Sequence, residues 1–245
     1  MRKKTMVKVS GLLLLTAIFF MVAGTPSSVQ ANPAETEGTI SVYGEAVITA
    51  TPDLARIVLA VETTHESAKT ATEENARLME AVINALVKSG LDKKQLKTSG
   101  YRVYSYNEPI DPANRDNYVT LYKASNELNI TLRNLNETGN VIDTAIKAGA
   151  NRVLAVWFEL ENAEALKLQA LKYATAQAMT KANAIAKSAG ITTKGIKAIR
   201  EEGSSYTPFR AEAESLNMKM AGGASTPILP GDVEVMARVN AEFYF

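Results

Sequence analysis

The sequence predicts an α+β fold: a mixed β-sheet packed by two long helices and one short helix. Three observations point there. Apolar residues alternate in several short runs, most clearly Val233, Val235, Ala237, Val239, Ala241 and Phe243. Between such runs the apolar spacing switches to four, as in Leu78, Val82 and Leu86. The order of these runs is ββα, ββα, βα, ββ, which interleaves hairpins with strand–helix–strand units.

The first strand begins at Thr39, with Ile40, Val42, Ala46 and Ile48 on one side and Ser41, Glu45 and Thr49 on the other. Thr51, Pro52 and Asp53 form a turn, because Pro presets φ and Asp bonds back to the backbone. A second strand carries Ile57, Leu59 and Val61, and the tight connection predicts a hairpin with the first. From Ser67 the period is helical, and Lys88 and Gly90 supply end signals. Strands are expected over 101–106 and 122–132, the latter alternating Leu128, Ile130 and Leu132 with Glu127, Asn129 and Thr131. The polar stretch between them holds two prolines and reads as a loop. Asn136 is placed to cap a short helix through Val141, Ile142, Ala145 and Ile146, stopped by Gly149. Residues 153–160 are apolar on both faces, as in a central strand, which makes Trp157 a core residue. Asn162 caps a long alanine-rich helix to about Lys187, a weaker strand covers 196–200, and 203–230 reads as a flexible insertion.

The N-terminus has the three parts of a secretion signal. Arg2, Lys3, Lys4 and Lys8 form a basic head, residues 11–23 an apolar middle, and Val29 and Ala31 a small-residue exit. The apolar run is short for a membrane span, which needs ~20 residues. Cleavage near Ala31 leaves one domain, 32–245, with 23 basic against 26 acidic residues and a formal charge of −3. That charge offers no footprint for nucleic acid. The chain has no cysteine, so disulfides, thiol chemistry, cysteine metal sites and a lipid-modified cysteine are excluded. The expected location is outside the cytoplasm, in a periplasm, cell-wall space or medium.

No nucleophile–base–acid set can be assembled. His65 is the one histidine, beside Glu66, at the junction of the second strand and first long helix. A lone histidine without a motif reads as an exposed loop residue rather than a base or metal ligand. The acid pairs Glu73–Glu74 and Glu201–Glu202 read as solvated faces. No glycine-rich phosphate loop, metal or cofactor is called for. Two features bear on binding. Five of the nine tyrosines (Tyr101, Tyr104, Tyr106, Tyr118 and Tyr122) flank the 107–117 loop. Tyrosine suits interfaces, and Tyr104, Tyr106 and Tyr118 are the interface candidates, although tyrosines also pair across ordinary hairpins. Phe209, Leu216, Met218 and Met220 place apolar side chains in the 203–230 stretch, to close over the chain's own sheet or to dock on a partner or membrane.

Taken in order, the segments GTISVYGEAVITATPDLARIVLAVET (38–63), LKTSGYRVY (96–104), YKASNELNITLRNLNETGNVIDTAIKAGANRV (122–153) and PGDVEVMARVNAEF (230–243) resemble the SIMPL-domain family. That family includes bacterial periplasmic immunogenic and oxidative-stress-defence proteins. The resemblance implies an exported α+β domain, often a homo-oligomer, linked to envelope stress or tolerance of oxidants, with no established catalytic residues. The expectation is a non-enzymatic exported protein that assembles with itself or binds an envelope partner, touching membrane only through its signal. The rivals are a ligand-binding module or hydrolase using His65, and a membrane-surface protein using 203–230.

Overall fold

In the computed structural model the described residues are 37–111, 114–211 and 227–245, so the predicted signal segment lies outside them. Eight strands and three helices follow in the order β1 (Thr39–Ala50), β2 (Leu54–His65), α1 (Ala68–Lys88), β3 (Leu96–Asp111), β4 (Asn114–Leu132), α2 (Thr138–Ala148), β5 (Arg152–Glu159), α3 (Glu164–Ser188), β6 (Gly195–Thr207), β7 (Phe209–Ala211) and β8 (Val233–Tyr244). The fold is α+β, but in place of one mixed sheet there are two antiparallel ones, ordered β1-β8-β6 and β3-β4-β2-β5-β7. Strands far apart in sequence meet antiparallel: β5 enters beside β2, and β8 enters between β1 and β6. No parallel pair results among the described residues.

The predicted hairpin of β1 with β2 does not form: β1 pairs with β8, and β2 with β4 and β5. The turn between them is held elsewhere. The Asp53 N–H donates to the Glu159 carbonyl at 3.0 Å, and the Asp53 carboxylate accepts from the Glu161 N–H at 2.7 Å. These bonds tie the turn to the end of β5 and feed β2 into the second sheet.

The five-stranded sheet is covered on one face by α1 and α2. Ile57, Leu59, Leu128, Ile130, Val156 and Phe158 of the sheet meet Val82, Leu86 and Ile142 of the helices in one core. Burying each such side chain contributes roughly 1.5–3 kcal/mol. One polar residue joins this interface. Asn75 of α1 is fully buried, and its Nδ2 donates to the carbonyls of Val61 at 2.8 Å and Ala124 at 3.1 Å. The amide therefore pins the helix across the β2–β4 seam.

The three-stranded sheet is covered by α3, whose buried residues are Ala170, Ala174, Ala178, Ala182 and Ala186. A stripe of single methyl groups lets a helix lie close to a sheet. At Gly44 of β1 the approach is closest, because a Cβ there would fall 1.9 Å from the Ala174 carbonyl oxygen. Outward, α3 exposes Leu168, Tyr173, Met179 and Ile185.

Other expectations shift in detail. The 107–117 stretch, expected to be a loop, is largely strand, because β3 runs on to Asp111 and β4 begins at Asn114. Pro109 is accommodated because β3 is an edge strand, where a missing N–H costs no ladder bond. The 203–230 stretch opens as strand, in β6 to Thr207 and in β7, where Phe209 packs on Phe158 with ring centroids 6.1 Å apart. Leu216, Met218 and Met220 lie outside the described residues. Trp157 is half-buried rather than core: it points away from the helices, and the Arg210 guanidinium stacks 5.7 Å from its ring. The long helix begins at Glu164, whose N–H bonds to the Asn162 side chain, whereas the short-helix turn is held by Asn134, whose side chain accepts from the Asn136 N–H.

Candidate functional site: a projecting tyrosine arm

The β3–β4 hairpin is longer than the sheet that carries it. β2 follows β4 only as far as the pair His65↔Tyr122, whereas β3 continues beside β4 to Asp111↔Asn114. Beyond Tyr122 the hairpin is a two-stranded ribbon with no third strand. At ~3.3 Å per residue the six residues 106–111 reach roughly 20 Å past the body. Every residue of 101–110 is exposed. Such a ribbon has no core of its own, and a two-stranded hairpin alone is marginal in water.

Its base is anchored by charge. Arg102 bonds Glu127 across β3–β4 at 2.6 Å, and Lys123 bonds Glu62 across β4–β2 at 2.8 Å. The hydrogen bond to Glu62 holds the Lys123 ammonium above its ordinary pKa, against the opposing effect of burial. These pairs lie on the face away from α1, where Arg56 also bonds Glu159 at 2.8 Å. That face is thus a ladder of ion pairs.

The interface candidates divide between the two faces. Tyr104 and Tyr106 lie on the ion-pair face with ring centroids 6.4 Å apart. Tyr118 pairs with Pro109, and Tyr101 with Asn126, on the side of α1. Tyr101, Tyr104 and Tyr118 are each half or more exposed, at 54%, 50% and 55%, and Tyr106 is at 38%. Val103 and Ile110 add apolar surface that the sequence reading did not select. Ile110 lies in the stretch whose strand character was hidden by its polar residues and prolines, whereas Val103 lies in a strand the sequence predicts.

The other candidates stay apart. His65 is exposed at the end of β2, and its Nδ1 accepts the Ser67 N–H at 2.9 Å, which steadies the entry to α1. Glu73 lies 3.9 Å from Lys69 on the exposed face of α1, and Glu201 and Glu202 are exposed on β6. Among the described residues no three His, Cys, Asp or Glu side chains gather as a metal site would require. One open depression lies at the β6 bulge, lined by Glu202, Gly203, Ser204, Ser205, Met236 and Arg238. Another is lined by Ser89, Leu91, Glu137, Asn140, Val141 and Thr144 at the α1–α2 contact. Neither contains a nucleophile paired with a base. No helix among the described residues is long and apolar enough to cross a membrane.

The chain is 28% identical over 223 residues to the 26 kDa periplasmic immunogenic protein of Brucella melitensis, with 89% of each chain covered. The corresponding Brucella abortus protein matches equally over the same length. The uncharacterized protein YggE of Escherichia coli K12 is 26% identical over 201 residues, covering 82% of this chain and 78% of its own. The family model SIMPL, described as a protein of unknown function (DUF541), matches residues 40–243. With that match spanning both sheets and all three helices, the chain belongs to the SIMPL family.

Proposed function

We propose that this protein is exported and acts without catalysis, by assembling with itself or with a protein partner of the cell envelope through the tyrosine arm. The observation that carries the reading is the arm: an exposed hairpin with Tyr101 and Tyr104 at its base and Tyr106 and Tyr118 on the two-stranded ribbon beyond β2. Tyrosine buries much area at little entropic cost, so its exposure on a projecting element favours contact with another chain. Export is supported by the basic, apolar and small-residue order of residues 1–31 and by the word periplasmic in the names of the Brucella relatives. A setting in envelope or oxidant stress rests on the family resemblance alone.

The test is the solution mass of the protein recovered from an exporting host, by light scattering over a dilution series. A stable oligomer that Tyr104→Ser with Tyr106→Ser dissociates supports the reading. A monomer that also captures no envelope protein through the arm overturns it. N-terminal sequencing of the same sample tests export, with Asn32 as the expected first residue.

A further inference from the structure

We propose that two copies of this chain join β3 to β3, antiparallel, with a twofold axis through Ser105. This rests on the assembly reading above and names the surface and register it uses. The argument begins from the sheet edges, because an unpaired strand edge invites another chain unless something blunts it.

Most edges here are blunted. On β1, side chains of α3 satisfy the backbone: the Gln177 Oε1 accepts the Glu45 N–H at 2.8 Å, and the Lys181 Nζ donates to the Tyr43 carbonyl at 2.8 Å. On β6 the ladder shifts register twice, at Ile196/Ala198 and Glu201/Gly203, and Gly203 has φ +113°. β7 is only three residues long. β3 differs. Its shifts fall at Thr98/Gly100 and Pro109/Asp111, leaving residues 101–108 between them regular, exposed and free of Pro and Lys. The free edge of β4 runs over 114–121, but the register shift at Pro109/Asp111 falls opposite 114–118, leaving only 118–121 regular, a run with no charged residue.

The unblunted run is complementary to itself. A twofold axis perpendicular to the sheet keeps each face on its own side, so it must pass through a residue. With the axis at Ser105, Arg102 lies opposite Glu108 of the second copy, and Tyr104 lies opposite Tyr106. Each pair occurs twice. Opposite charges and paired aromatics are the favourable cross-strand neighbours. Moving the axis to Tyr104 or Tyr106 leaves Arg102 facing Tyr106 or Ile110, and no charge is matched. Arg102 already bonds Glu127, but its side chain is 69% exposed and the guanidinium has five N–H donors, enough for a second carboxylate. Pro109, which has no N–H, ends the ladder. Each ribbon then lies beside residues 101–104 of the second copy's β3, and the two five-stranded sheets become one continuous sheet, which gives each ribbon the third strand it lacks alone.

The chain has no cysteine, so single cysteines report the register cleanly. Directly opposite residues lie about 4.5–5.5 Å apart at Cα, within disulfide range. In the full-length chain recovered from an exporting host, Ser105→Cys is expected to give a covalent dimer under mild oxidation. Asn107→Cys, whose copies stand about 14 Å apart, is expected to give none. Glu108→Arg is expected to weaken association about tenfold, and adding Arg102→Glu to restore it. All of these are exposed positions, and an unchanged unfolding midpoint checks the fold. An oligomer by light scattering in which Ser105→Cys links no better than Asn107→Cys overturns this interface and leaves the assembly reading standing. A monomer at every concentration overturns this interface, and overturns the assembly reading as well when the arm also captures no envelope protein.

Discussion

Gly44 of β1 and Ala174 of α3 meet backbone to backbone, with only 1.9 Å between the place of a Cβ at residue 44 and the Ala174 carbonyl oxygen. The alanine stripe and this one glycine together set how close α3 lies to its sheet. Alanine at position 44 has no flexible neighbour to push aside, since the obstacle is helix backbone. We expect Gly44→Ala to destabilise the protein by about 2–3 kcal/mol, the range of overpacked sites, measured as a lower urea midpoint with unchanged slope. An unshifted midpoint would mean that α3 can slide.

Asn75 offers the opposite case, a buried group whose bonds matter more than its size. Asn75→Ala loses both donors to the Val61 and Ala124 carbonyls and leaves a cavity, and we expect a loss of about 2 kcal/mol. Asn75→Asp keeps the volume but turns a carboxylate toward two carbonyl oxygens. At neutral pH it should cost more than alanine, and acidification that protonates the aspartate should recover part of the difference. Urea titrations of the two variants at two pH values decide this.

What the sequence shows and what it hides follow from the range of the interactions. Alternation and four-residue spacing are local, so β8 and α1 were legible within a residue or two, as was the end at Leu132 of the strand through Leu128 and Ile130, whose start at Asn114 lies eight residues before the expected one. The partner of a strand is not local. Val42 and Ala241 face each other across nearly 200 residues, while β1 and β2, joined by three residues, do not pair. The bonds of Asp53 to Glu159 and Glu161 decide that outcome, and nothing near Asp53 in sequence announces them. The arm was half legible. Its tyrosines stood out by composition, but Pro109 argued for a loop because edge position, which makes proline harmless, is a property of the assembled sheet. Trp157 was misplaced for a related reason: α1 and α2 pack on the face of β5 that carries Val156 and Phe158, and Trp157 points to the other.

The Arg133–Glu161 pair gives a pH dependence whose sign follows from its geometry. The Arg133 hydrogen bond holds the Glu161 carboxyl below the usual carboxylate range. The stabilisation is therefore present above the unfolded-state pKa and is lost as pH falls through the lower folded-state value. Both side chains are more than half exposed, so the effect is small and screened by salt. We expect Glu161→Gln to melt slightly below the wild type at pH 6–7 in low salt. The gap should close toward pH 2–3, as followed by melting temperature against pH. A gap that widens on acidification would contradict the assignment.

The Gln177 and Lys181 bonds to β1 are placed where an edge would otherwise be open, and that use is separable from their contribution to stability. Replacing both by alanine leaves the Glu45 N–H and the Tyr43 carbonyl bonded only to water, at a cost of about 1 kcal/mol for solvent-accessible groups. The larger consequence is exposure of a strand that already presents Tyr43 and Val47 at 54% and 52%. We expect the double variant to associate beyond the wild-type assembly as concentration rises, by pairing at β1. Adding Val47→Lys should suppress that excess, because an edge charge disfavours pairing with a second copy. The measurement is light scattering over a concentration series at fixed salt. If the double variant loses stability but gains no association, the two side chains serve to dock α3 and not to guard the edge.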